Sequence, residues 1–132
     1  MKLFCDMDGV LVKQTGRDGF DLMPWMPDGK DLWAFIAPLK PTILSMLPNA
    51  NIARCEPQKR AWCARELGAE VAVVITPDSI GKGPHATPGA VLIDDDYHRH
   101  GPAWVKHGGV YVHHTSAANS IKQLRALLGG ST

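Results

Sequence analysis

The chain has 132 residues, a formal net charge of +1, and 45% hydrophobic against 20% charged residues. This predicts one domain over residues 1–132 that buries roughly two-thirds of its unfolded surface, with no global electrostatic bias toward nucleic acid or membrane. No apolar run approaches a membrane span, the N-terminus turns acidic too soon for a signal peptide, and Cys5, Cys55 and Cys63 lack CxxC spacing. Reduced thiols in a cytoplasmic setting are the expectation, not a disulfide frame or a zinc site.

The first predicted strand is the apolar run Lys2–Cys5, which ends in Asp6-Met7-Asp8-Gly9-Val10. Side chains two apart on an extended chain point the same way, so both carboxylates can face one site. Two like charges held that close need a cation or a shared proton to offset their repulsion. From about residue 13 to 27 the chain is polar and glycine-rich and then bulky, ending in Met23-Pro24-Trp25-Met26-Pro27, and reads as a flap. Asp28 is placed to cap a helix from Gly29 to Leu39, with Leu32, Phe35, Ile36 and Leu39 on one side. Pro41–Ser45 is a short strand, bounded downstream by Pro48.

A second helix is expected with Pro57 near its first turn and Gly68 just past its end. Val71–Ile75 is a continuous apolar run, the pattern of a parallel strand covered on both faces. After a loop holding Lys82 between two glycines, Gly89–Ile93 forms a fourth buried strand that stops at Asp94-Asp95-Asp96. Pro102–His107 reads as a short helix and Val110–Val112 as a fifth strand. Ser116 caps a last helix carrying Ile121, Leu124, Leu127 and Leu128. Strands alternating with helices predict an α/β, Rossmann-like, doubly wound three-layer sandwich on a five-stranded parallel sheet.

In such sheets ligands bind beyond the carboxyl ends of the strands. Those ends carry Asp6 and Asp8, then Ser45, then Thr76 with the nearby Lys82, then Asp94, Asp95 and Asp96. Hard oxygen donors without a His or Cys pattern suit Mg²⁺, and Mg²⁺ with few carboxylates is the usual companion of a phosphate. Ser45 and Lys82 offer a hydroxyl and a positive charge to phosphoryl oxygens.

Asp6-Met7-Asp8-Gly9-Val10, Ser45 after Ile43-Leu44, Lys82 ahead of the fourth strand and Leu92-Ile93-Asp94-Asp95 together resemble the four motifs of the haloacid dehalogenase-like (HAD) phosphatases. Lys59-Arg60-Ala61-Trp62 and the Leu-Ile-Asp-Asp ending are also similar to the deoxyribonucleotidase branch. The resemblance implies an Mg²⁺-dependent phosphomonoester hydrolase in which Asp6 attacks phosphorus to form an aspartyl-phosphate. Asp8 would protonate the leaving oxygen and then activate water. It implies Mg²⁺ held by Asp6, the Asp8 main-chain carbonyl and a motif-four aspartate, Asp95 ahead of Asp94, with Asp94 orienting Lys82 or a metal-bound water.

The chain has room for a flap but not for the cap domain many relatives insert, so the site is expected to be open. The substrate is then a nucleotide, a sugar phosphate, a polynucleotide end or a protein, or else a partner subunit supplies the lid. Arg17, Arg54 and Lys59 are the basic residues expected near the substrate's far end, although a lysine on a helix also reads as a solvated surface charge. The histidines match no zinc pattern and are expected on the surface or in loops; Trp25 is the aromatic to watch as a substrate contact. Two other classes fit an acidic cluster with Ser and Lys: a receiver-like phosphoacceptor and a non-catalytic phosphate-binding module. A receiver, however, normally carries its aspartate on the third strand, where this chain has Ile75-Thr76.

Overall fold

In a computed structural model of the chain, described for residues 1–13, 23–47 and 52–129, five parallel strands and four α-helices alternate. The strands are β1 (Leu3–Cys5), β2 (Thr42–Leu47), β3 (Val73–Pro77), β4 (Val91–Asp94) and β5 (Val110–His113). The helices are α1 (Gly29–Ile36, extended by a 3-10 turn over Ala37–Leu39), α2 (Ile52–Glu66), α3 (Tyr97–Lys106) and α4 (Ala117–Leu127). The sheet order is β3-β2-β1-β4-β5, the expected Rossmann-like sandwich. No cap domain is evident among the described residues, and no helix of those residues is long and apolar enough to cross a membrane.

Alternation along the central strands sorts the core into two layers. Leu3, Cys5, Ile43, Leu47, Val91 and Ile93 pack with Leu32, Ile36, Trp62, Cys63 and Leu124 of α1, α2 and α4. Phe4, Leu44 and Leu92 face the other way, onto Trp104 of α3 and Ala86. The Trp104 indole sits edge-on to Phe4 at 5.3 Å and donates to the Ala90 carbonyl at 3.0 Å, so its polar edge is satisfied inside the core.

Several local expectations are corrected. The third strand begins at Val73, and Val73, Val74 and Ile75 are only partly buried, because β3 is an edge strand and not one covered on both faces. Ser45 does not end β2: Met46 and Leu47 still pair with Thr76 and Pro77. Helix α2 starts at Ile52, which puts Pro57 beyond its first turn, and α3 starts five residues before Pro102 because Asp96 caps it through the Arg99 N–H at 3.3 Å. Asp28 makes no cap bond to α1. Its carboxylate instead accepts the Ala117 N–H at 2.7 Å, where α4 presents unpaired donors and the positive end of its dipole, alongside the expected Ser116 cap to Asn119 N–H.

Candidate active site

The sheet order reverses around β1 and β4, and their carboxyl ends open into a cavity of about 560 Å³. The short strand β1 delivers Asp6 there, and the ladder continues past it: the Asp6 N–H donates to the Ile93 carbonyl at 2.9 Å. The chain then folds into a turn in which the Met7 carbonyl accepts from Val10, Leu11 and Val12, leaving Asp8 and Gly9 on the cavity wall. Gly9 has φ +79°, and a Cβ built on it would lie 2.0 Å from Asp95 Oδ2. Only a residue without a side chain lets the Asp95 carboxylate come this close.

Lys82, 2% exposed, is clamped between two carboxylates, with Nζ 2.8 Å from Asp6 Oδ1 and 2.8 Å from Asp94 Oδ1. The network extends outward, since Asp94 Oδ2 accepts the Tyr111 hydroxyl at 2.6 Å and the Asp96 N–H at 3.0 Å. Burial works to lower the Lys82 ammonium, but Asp6 and Asp94 outweigh it and hold it above the ordinary lysine value. Burial likewise works to raise Asp94, and Lys82 and the Tyr111 hydrogen bond outweigh it, so this carboxyl lies below its usual range. Asp6 goes the other way: burial, with Asp94 and Asp8 adding to it, pushes its carboxyl well up against the pull of Lys82.

Asp8 is served by a different lysine. Lys59 Nζ reaches Asp8 Oδ2 at 2.7 Å, Ser45 Oγ at 2.8 Å and the Met46 carbonyl at 3.2 Å. The residue is 1% exposed, so the surface-charge reading of Lys59 is overturned. Asp8 Oδ1 is buried without a hydrogen-bond partner among the described residues.

Asp6, Asp94 and Asp95 each place a carboxylate oxygen within 4.8 Å of the others. Burial raises the exposed-edge Asp95 as well, and three converging acids with one lysine among them are short of positive charge. The donor set is all hard oxygen, and the space left by Gly9 admits the Asp95 carboxylate, so the residues present fit a Mg²⁺ ion.

Of the residues named from sequence, Asp6, Asp8, Lys59, Lys82, Asp95 and Asp96 line the cavity. Asp94 lies behind Lys82. Ser45 is fully buried beneath the cavity and meets it only through Lys59, because its side chain points into the sheet-side layer that α2 covers. Arg17 lies outside the described residues, as does the side chain of Arg54 and much of the predicted flap. Trp25 is not a cavity residue: it packs on Trp62 at 5.0 Å and donates to Glu66 at 2.9 Å. Lys13, Met26, Met46, Asp78, Arg99 and His100 line the cavity without having been expected. His100 and His114 are buried, against the surface expectation, and His114 Nδ1 pairs with Ser120 Oγ at 2.7 Å. His100 was detectable as the residue one turn before Trp104, on the inward face of α3.

No family model and no curated protein matches this sequence. Among solved structures, the fold is similar to the D,D-heptose 1,7-bisphosphate phosphatase of Burkholderia thailandensis, with a TM-score of 0.54 and 12% identity over 94% of this chain and 99% of that one. It is also similar to the B. bronchiseptica enzyme of the same name, solved with magnesium and phosphate, with a TM-score of 0.53 and 13% identity over 96% and 99%. Both are phosphatases by name, and the similarity of this chain to them is one of fold.

Proposed function

We propose that this chain is a phosphomonoester hydrolase that works through an aspartyl-phosphate on Asp6. The observation that carries the reading is the division of the two carboxylates between two buried lysines. Lys82 holds Asp6 at 2.8 Å and Lys59 holds Asp8 at 2.7 Å, on the walls of one cavity. Paired acids in different surroundings can take different roles. The fold shared with two phosphatases, one of them a magnesium and phosphate complex, supports the same reading.

Lys82 and the Met7 N–H both engage Asp6 Oδ1, which leaves Oδ2 as the attacking atom. When Asp6 Oδ2 bonds to phosphorus, the ester P–O bond breaks and Asp8 gives the leaving oxygen its proton. Asp8 then takes a proton from water, water oxygen attacks phosphorus, and cleavage of the Asp6–phosphorus bond releases phosphate. Lys59 fixes Asp8 through Oδ2, so the unpaired Oδ1 is assigned the proton. Asp6, Asp95 and the Asp8 carbonyl would hold Mg²⁺, and bound there it would screen the approach of carboxylate to phosphate and favour ionised Asp6. Asp94 orients Lys82, and Ser45 holds Lys59 in place.

The substrate is a phosphate monoester small enough for the cavity or reaching in from an open side. Purified chain with Mg²⁺ is expected to hydrolyse an aryl phosphate, and Asp6→Asn to abolish this without loss of helical signal. Binding of Mg²⁺ and phosphate with no turnover on any ester of a broad panel would instead identify a phosphate-binding module.

A further inference from the structure

The proposed chemistry leaves one polar group of the Lys82 network without a task. Tyr111 lies within the apolar run of β5, opposite Leu92 of β4, and its ring stands on the face that α3 covers. Asp94 follows Leu92 by two residues and shares that face, so the long tyrosine side chain reaches it across the diagonal. The hydroxyl donates to Asp94 Oδ2 at 2.6 Å, the length of a charge-assisted bond. The ring itself is fixed by packing, edge-on to Tyr97 at 5.4 Å and against the cluster of Phe4, Leu92 and Trp104.

Packing alone does not call for that hydroxyl, since a phenylalanine would fill the same space. Its consequence shows in the two oxygens of Asp94. Oδ2 accepts from Tyr111 and from the Asp96 N–H at 3.0 Å. With Oδ2 held there, Oδ1 faces Lys82 at 2.8 Å, and Lys82 in turn reaches Asp6 Oδ1 at 2.8 Å. A chain of three contacts therefore runs from an edge strand to the attacking carboxylate: Tyr111 to Asp94, Asp94 to Lys82, Lys82 to Asp6. Asp94 is fully buried, so water is poorly placed to replace the tyrosine donor. Burial, and then the bond to Asp94, hold the Tyr111 hydroxyl well above the ordinary tyrosine value, so it stays a donor throughout the neutral range.

We propose that Tyr111 is a positioning residue for the nucleophile: its hydroxyl locks the Asp94 carboxylate, which keeps Lys82 on Asp6 Oδ1 and leaves Asp6 Oδ2 aimed at phosphorus. This rests on the phosphatase reading and adds to it a residue outside the four motifs. Without the hydroxyl, Asp94 keeps the Asp96 N–H and Lys82 but is free to turn, and Lys82 moves with it.

The test is a single turnover of an activated aryl phosphate by excess enzyme with Mg²⁺, comparing wild type with Tyr111→Phe. Release of the aryl alcohol reports attack by Asp6, and a good leaving group makes little demand on the Asp8 proton. At saturating enzyme the rate constant is expected to fall about tenfold, as a small misplacement of a reacting group does. A purely structural role would lower the folded fraction, read by circular dichroism, and leave that rate constant unchanged. A rate constant within twofold of wild type therefore overturns the proposal, whatever happens to stability. In an Asp94→Ala background, where the tyrosine has nothing left to hold, Tyr111→Phe is expected to slow the reaction no further. A second tenfold loss there would show that the tyrosine acts elsewhere, and would equally overturn it. If the wild type releases no aryl alcohol, the phosphatase reading fails and the positioning role falls with it. Release by the wild type with an unmoved rate in Tyr111→Phe defeats the positioning role alone.

Discussion

Two lysines stand at this cavity, and they are held in different ways. Lys82 is enclosed by the carboxylates of Asp6 and Asp94, with Tyr111 and the Asp96 N–H completing the second aspartate. Lys59 meets the Asp8 carboxylate, the Ser45 hydroxyl and the Met46 carbonyl among the described residues, and Asp8 is about a fifth exposed. The Lys82 cluster is a largely buried charge network that meets the cavity at Asp6 and Lys82. The Lys59 cluster is a bracket that aims one acid and leaves it in touch with the cavity. The difference matches the two jobs proposed for the acids, since a nucleophile must be held still while a proton carrier must reach both leaving group and water.

The comparison is broken most severely at Lys82. Lys82→Met leaves Asp6 and Asp94 buried without their cation, an arrangement that costs about 3–5 kcal/mol when one partner of a buried pair is removed. Denaturant unfolding should show this loss, and turnover should vanish with it. Lys59→Met is expected to cost less stability, about 1–2 kcal/mol, because Asp8 can recover water. It should still lower kcat by about tenfold to a hundredfold. Ser45→Ala removes one acceptor from Lys59 and is expected to cost about 1 kcal/mol and only a few-fold in kcat.

How much of this was legible beforehand follows the same divide. Asp6, Asp8, Asp94 and Asp95 were readable because acids that end apolar strands must all emerge at one sheet edge. Lys82 was readable because it lies in a glycine-flanked loop at that edge. Lys59 was misread as a possible surface charge because a lysine on a helix is usually solvated. Its spacing held the contrary signal: Cys55, Lys59, Trp62 and Cys63 fall on one stripe, and the other three are core residues. Ser45 was placed at a strand end because Pro48 was read as the stop, whereas pairing with β3 carries β2 on to Leu47. Asp28 looked like the cap of the helix after it, and its bond to Ala117 depends on a packing of α4 beside α1 that no local pattern encodes.

The smallest expected effect lies outside both lysine clusters. His100 and His114 are held below the ordinary histidine value of 6.5, chiefly by burial. In the window between their folded values and 6.5 the unfolded chain binds more protons, so stability rises with pH there and falls as pH drops below 6.5. Urea midpoints measured down through that window should decline, and His114→Gln should flatten part of the decline.

The central claim is that phosphate passes through Asp6. Acid-quenched reactions of a labelled phosphate ester, followed by peptide mass analysis, test it directly. In Asp8→Asn, which should slow hydrolysis of the intermediate more than its formation, the label is expected on the peptide carrying Asp6; in Asp6→Asn no label is expected anywhere. Label retained by Asp6→Asn, or steady turnover by the wild type with no covalent phosphate in either the wild type or Asp8→Asn, would contradict the account.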